Sequence, residues 1–115
     1  ANLLMVSGDD PVKAVHTLAP YIVHTHAKDG LNTFPGSAAA CYGMREPDGS
    51  MRVFTEEPAK FQEVPLGQGQ VPWDGYLAAL KKAGFNGFLT IERECGADPE
   101  GDIRLAMNFL KSKLA

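Results

Sequence analysis

A chain of 115 residues, 44% hydrophobic and 22% charged, is within the size of a single domain and has no room for two of ordinary size. Its formal charge of −3 and pI near 5.5 leave no electrostatic footprint for nucleic acid. No apolar run approaches the ~20 residues that cross a bilayer, so neither a membrane partner nor a secretory leader is expected. Cys41 and Cys95 have neither a CxxC spacing nor the density of a disulfide scaffold, and read as free thiols in a reducing compartment, the cytoplasm.

Residues 1–8 open with an apolar run (Leu3, Leu4, Met5, Val6) that has no cap and no preceding turn, as though it continued an earlier element. Asp10-Pro11 is a helix start: the carboxylate caps the first free N–H groups, and proline fills a position whose N–H would be unpaired anyway. Val12, Val15, Leu18 and Ala19 keep helical spacing until Pro20 ends the pattern. A strand over 21–26 follows, aromatic and β-branched in its first half. Period-2 alternation puts Ile22, His24 and His26 on one face, with Tyr21, Val23 and Thr25 on the other. Just past the strand come Lys28 and Asp29. An apolar strand that turns ionisable at its C-terminal end is how a parallel α/β sheet presents a site.

Residues 30–70 form a long loop, punctuated by Gly, Pro, Ser and Asn, in which 47–50 (Pro-Asp-Gly-Ser) is a turn between short strands near 41–45 and 51–55. A loop of that length in a small domain is functional or disordered. The glycines of Gly67-Gln-Gly69 allow a tight turn, since a phosphate loop would need further glycines and a Lys-Ser or Lys-Thr ending. A helix over 73–83 is marked by Tyr76, Leu77, Leu80 and Ala83 and stopped by Gly84. Asn86-Gly87 turns into a strand over 88–92. The last helix begins at Asp98-Pro99 and carries the stripe Ile103, Ala106, Met107, Leu110, Leu114 to the end, with Lys111 and Lys113 complementing its dipole. The order helix–strand–loop–helix–strand–helix implies parallel strands joined by crossover helices. Two such strands leave both sheet edges open, so the chain is expected to be incomplete alone.

His26 and Glu92 each sit at the C-terminal end of an apolar strand. Imidazole and carboxylate together suit a borderline or hard divalent ion, Mn²⁺, Mg²⁺, Co²⁺ or Zn²⁺. Alone, each is equally well read as a hydrogen-bonded strand end and a surface acid. His24 reads as a layer-filling histidine, His16 as a surface residue and Glu94 as a solvated acid. Lys28 and Asp29 either bind a polyol or phosphate or pair with each other. Trp73 either stacks on a sugar or opens its helix as a core residue.

The motifs His-Thr-His26-Ala-Lys28-Asp29, Pro65-Leu-Gly67-Gln-Gly69-Gln-Val-Pro-Trp73 and Gly87-Phe-Leu-Thr-Ile-Glu92-Arg-Glu, in this order, resemble the C-terminal part of the xylose isomerase-like TIM barrels. That superfamily holds sugar-phosphate isomerases and epimerases, ketose 3-epimerases, inosose dehydratases and endonuclease IV nucleases. The resemblance implies an α/β fold, the C-terminal part of a (β/α)8 barrel: helix six, strand seven, a long loop, helix seven, strand eight and helix eight. It implies metal ligands at His26 and Glu92, with Glu92 also catalytic in proton transfer. Two further ligands, a Glu and an Asp, would precede Ala1. It places Asn2 toward substrate, beside Lys28, Asp29 and Trp73, the candidate substrate contacts read from the residues themselves. The function it implies is metal-dependent isomerisation or epimerisation of a sugar or sugar phosphate through an enediolate, with these 115 residues inactive by themselves. The alternatives are a nuclease like endonuclease IV, which the net charge opposes, and a non-catalytic piece. In the latter the open sheet edge would pair with a second copy or with the missing half of the barrel.

Overall fold

Among residues 6–115, which a computed structural model of the chain describes, the elements are α1 (Pro11–Leu18), β1 (Thr25–Ala27), β2 (Asp29–Phe34), α2 (Ala38–Tyr42), β3 (Lys60–Val64), α3 (Trp73–Lys82), β4 (Leu89–Ile91) and α4 (Pro99–Leu114). Asn2, the expected substrate contact at the start of the chain, lies outside the described residues. None of the described helices is long and apolar enough to cross a membrane.

Local chemistry sets the helix starts as expected. Asp10 Oδ1 accepts from the N–H groups of Val12 and Lys13 at 2.8 and 3.2 Å, and Asp98 Oδ1 accepts from Gly101 at 3.0 Å. Pro20 tightens the end of α1 into a 3-10 turn over Ala19–Tyr21. The strand expected from residue 21 therefore begins only at Thr25. Val23 is left 87% exposed, because a strand needs a neighbour and the ladder with β4 starts at Thr25.

β1 and β4 pair in parallel, Thr25 opposite Leu89, His26 opposite Thr90 and Ala27 opposite Ile91. One face of this pair is covered by α1, α3 and α4 through Val15, Ala27, Trp73, Tyr76, Leu80 and Leu110. His24, His26, Phe88 and Thr90 alternate onto the uncovered face. Of the stripe expected on α4, only Ala106 and Leu110 are buried, whereas Ile103, Met107 and Leu114 stay exposed. That stripe is wider than anything these residues lay against it.

The long insert is more regular than its composition suggests. β2 and β3 form an antiparallel ribbon, Asp29 opposite Val64 through Phe34 opposite Lys60, with an irregularity between Asn32 and Phe34. Glycine and asparagine in β2 hide it from propensity reasoning. The strand expected near 41–45 does not form: its first two residues end helix α2, which is capped by Ser37, whose Oγ accepts from Ala40 N–H at 3.1 Å. What remains of that hairpin is one bridge, Arg45 to Met51, closed by a turn in which Asp48 accepts from both the N–H and the hydroxyl of Ser50.

The ribbon is fastened to the core through Asp29, 1% exposed. Its Oδ1 accepts from the N–H groups of Gly30 (2.9 Å) and Val71 (3.2 Å), and its Oδ2 from Gly67 (2.9 Å), Gly69 (3.2 Å) and the Trp73 indole (2.8 Å). The tight turn read from Gly67-Gln-Gly69 is thus a wrapping around a buried carboxylate. A Cβ at Gly69 would overlap that carboxylate and stand 2.6 Å from the Gly30 nitrogen, and one at Gly67 would stand 2.7 Å from the Phe109 ring. We expect Gly69→Ala to cost about 2 kcal/mol by overpacking, read as a lowered urea midpoint. A midpoint equal to wild type would mean that the turn relaxes freely.

Candidate functional site

The parallel register brings the strand ends together. Glu92 N–H donates to Ala27 O at 3.1 Å, which carries the ladder one residue past β4 and turns the Glu92 side chain to the same face as His26. His26 Nδ1 and Glu92 Oε2 stand 2.7 Å apart. One layer deeper, His24 Nε2 meets Thr90 Oγ1 at 3.1 Å, and its ring lies edge-on to His26 with centroids 5.4 Å apart. His24 thus has a hydrogen-bonded partner but is exposed on the open face rather than filling a layer.

Behind this pair lies an ion network. Lys28, its side chain 5% exposed, reaches Glu63 Oε2 at 3.2 Å and Glu92 Oε1 at 3.4 Å, and also pairs with Glu94. Arg93, 8% exposed, donates from Nη1 to Glu63 Oε1 at 2.8 Å and from Nε to Asp102 Oδ2 at 2.7 Å. Glu63 Oε1 also accepts from Glu94 N–H at 3.0 Å. The Lys28–Asp29 pairing, one of the two readings open in the sequence, does not form, because successive residues of an extended chain point to opposite faces: Asp29 turns into the core and Lys28 toward the acids. The expectation that Asp29 and Trp73 contact substrate is also corrected. Both are buried and bonded to each other, so neither offers a polar atom at the strand tip. Lys28 likewise spends its ammonium on carboxylates rather than on an open cleft. Glu94 is less free than a solvated acid, being held by Lys28.

Glu63 and Arg93 were not singled out in the sequence. Arg93 had a signal, an alternation Glu-Arg-Glu at 92–94 directly after an apolar strand. Glu63 had none: it sits inside the long insert, and only the ribbon's register with Asp29 and Gly30 carries it back to the strand tips.

The electrostatics follow from these contacts. The His26 hydrogen bond holds the Glu92 carboxyl below its ordinary value, against opposition from burial and with help from Lys28. Burial works against ionisation of Glu63, but Arg93, Glu94 N–H and Lys28 outweigh it and hold the carboxyl low. For Lys28 burial alone would lower the pKa, and the carboxylates of Glu94, Glu63 and Glu92 raise it instead. A depressed carboxyl contributes stability that is complete above its unfolded value and lost as pH falls through its folded one. A raised ammonium contributes below its unfolded value and loses it as pH rises through the folded one. The network should therefore stabilise fully between the ordinary glutamate value of 4.5 and the ordinary lysine value of 10.5, and fade outside that window. Urea midpoints taken across pH check this. A Lys28→Met variant, which removes the ammonium, should show a weakened dependence at both ends. An unchanged profile would mean that the network adds nothing.

As a metal centre, the donors fit in kind but not in number. His26 and Glu92 offer one imidazole nitrogen and one carboxylate, facing each other at the C-terminal tips of adjacent strands. Among the described residues no group of three or more His, Cys, Asp or Glu side chains converges to hold an ion. The pair suits two of the ligands of a borderline or hard divalent cation.

The family model described as "Xylose isomerase-like TIM barrel" matches residues 1–113. Among solved structures, the chain is similar to a xylose isomerase domain protein from Planctomyces limnophilus, at 29% identity and a TM-score of 0.69. That match covers 98% of this chain and 35% of the other, so the chain spans about a third of the relative's length. No curated protein matches.

Proposed function

The chain belongs to the xylose isomerase-like TIM barrel family, and from that premise we propose that it is part of a divalent-metal-dependent sugar isomerase or epimerase. The observation that carries the reading is the 2.7 Å approach of His26 Nδ1 to Glu92 Oε2 at the end of the sheet where barrels of this kind place their chemistry. His26 and Glu92 would hold the ion, and residues beyond these 115 would supply its other ligands, in keeping with a solved relative almost three times as long. When bound, the ion polarises the carbonyl of a hydroxy-carbonyl sugar.

The chain's own residues supply the proton abstraction. Glu92, kept ionised by His26 and Lys28, takes the proton from the carbon next to the carbonyl, leaving an enediolate. A carboxylate from outside the chain returns a proton to the neighbouring carbon or to the opposite face. Lys28 fixes Glu92 Oε1 at 3.4 Å, and Glu63 fixes Lys28 in turn, so the base is aimed before the sugar arrives. The uncovered sheet face and the open edges of β1 and β4 would be closed by the remainder of the barrel. Cysteine usage is that of a cytoplasmic protein.

The test is titration of the intact protein with Mn²⁺, followed by deuterium exchange at the C–H next to the carbonyl of a ketose panel in D₂O. Metal-dependent exchange on at least one ketose is expected. Stoichiometric Mn²⁺ binding without exchange on any sugar would sink the proposal.

A further inference from the structure

TIM barrels that act on phosphorylated substrates commonly grip the phosphate with the loops after strands seven and eight and a helix N-terminus beside them. Those are the loops that follow β1 and β4. Among the described residues, both side-chain cations there and the N–H groups of the glycine-rich turn are committed to carboxylates of the chain itself. The glycine-rich turn aims the N–H groups of Gly67, Gly69 and Val71 at Asp29. Lys28 is shared among Glu63, Glu92 and Glu94, and Arg93 between Glu63 and Asp102. The N-terminus of α4 is capped by Asp98 and carries Glu100 and Asp102 in its first turn. The network around the strand tips thus holds four carboxylates, Glu63, Glu92, Glu94 and Asp102, against two cations, Lys28 and Arg93.

From this we infer that the substrate is an unphosphorylated sugar, a neutral polyol with a carbonyl, rather than a sugar phosphate. The inference rests on the isomerase reading above and narrows it. A phosphate dianion arriving at this rim would meet like charge, and would have to displace buried carboxylates from donors they already satisfy. A neutral polyol meets no such cost, and its hydroxyls can donate to the exposed oxygens of Glu94 and Glu92.

Two measurements on the intact protein separate the possibilities. In the first, inorganic phosphate is titrated into chelator-treated protein and followed by calorimetry, so that the metal cannot bind it. A dissociation constant looser than about 10 mM is expected. In the second, deuterium exchange is compared, with Mn²⁺ present, for free ketoses and their terminal phosphate esters, D-fructose with D-fructose 6-phosphate and D-ribulose with D-ribulose 5-phosphate. At least about a tenfold preference in kcat/KM for the free sugar is expected. Phosphate binding at about 1 mM or tighter, or faster exchange on the esters, would overturn the inference and leave the isomerase reading intact. Absence of exchange on both members of every pair would overturn the isomerase reading, and this inference with it.

Discussion

Asp29→Ala should remove about 4 kcal/mol or more of stability, enough to unfold a domain of ordinary margin. The carboxylate is buried and accepts five hydrogen bonds. Each buried donor left without a partner costs about 1–3 kcal/mol. Truncation strands four backbone N–H groups and an indole together, and also leaves a cavity beside Trp73. Asp29→Asn keeps the shape but offers one oxygen where two served, and turns an NH₂ group toward donors, so about half the loss should remain. Asp74→Ala is the control: its exposed pairing with Lys113 at 2.8 Å is worth under about 1 kcal/mol. Urea denaturation followed by far-ultraviolet circular dichroism orders the three. An Asp29→Ala protein as stable as Asp74→Ala would show that the turn over residues 67–71 does not depend on the buried anion.

Glu92→Gln should lower the rate of substrate C–H exchange by about a thousandfold while barely changing stability. The amide is isosteric, and Lys28 keeps Glu63 and Glu94 as partners, so the cost in fold is that of a partly exposed pair, under about 1 kcal/mol. What disappears is the charge that abstracts the proton and one donor to the ion. Mn²⁺ affinity, read by electron paramagnetic resonance, should fall alongside the rate by about tenfold or more. Glu57→Gln, which alters only an exposed pairing with Lys60 in the insert, should keep the exchange activity. Wild-type exchange and wild-type Mn²⁺ affinity in Glu92→Gln would remove Glu92 from both roles.

The acid-capped helix starts at Asp10-Pro11 and Asp98-Pro99 and the crossover helix over residues 73–82 were legible because each depends on neighbours within one or two turns of chain, and the parallel relation of the two apolar strands followed from the alternation of helix and strand. So was the meeting of His26 with Glu92. Two strands of known polarity, each ionisable at its C-terminal end, have few other ways to lie side by side. What could not be read were the long-range partners that no alternation of helix and strand announces. β2 looks like loop until Lys60–Val64 pairs with it, and Glu63 looks like any surface acid until that ribbon folds it back onto Lys28 and Arg93. Asp29 shows the same limit most clearly. Its sequence neighbourhood makes it a ligand contact, and its tertiary neighbourhood makes it an anchor. Hydrogen bonds from residues 38 to 44 positions away leave no trace in a local pattern. Composition and periodicity therefore determined where α1, α3 and α4 lie, the neighbourhood of the two parallel strands and which strand ends carry charge. Only the tertiary structure decided which of those charges remain available to a ligand, because burial and pairing depend on what the rest of the chain brings within reach.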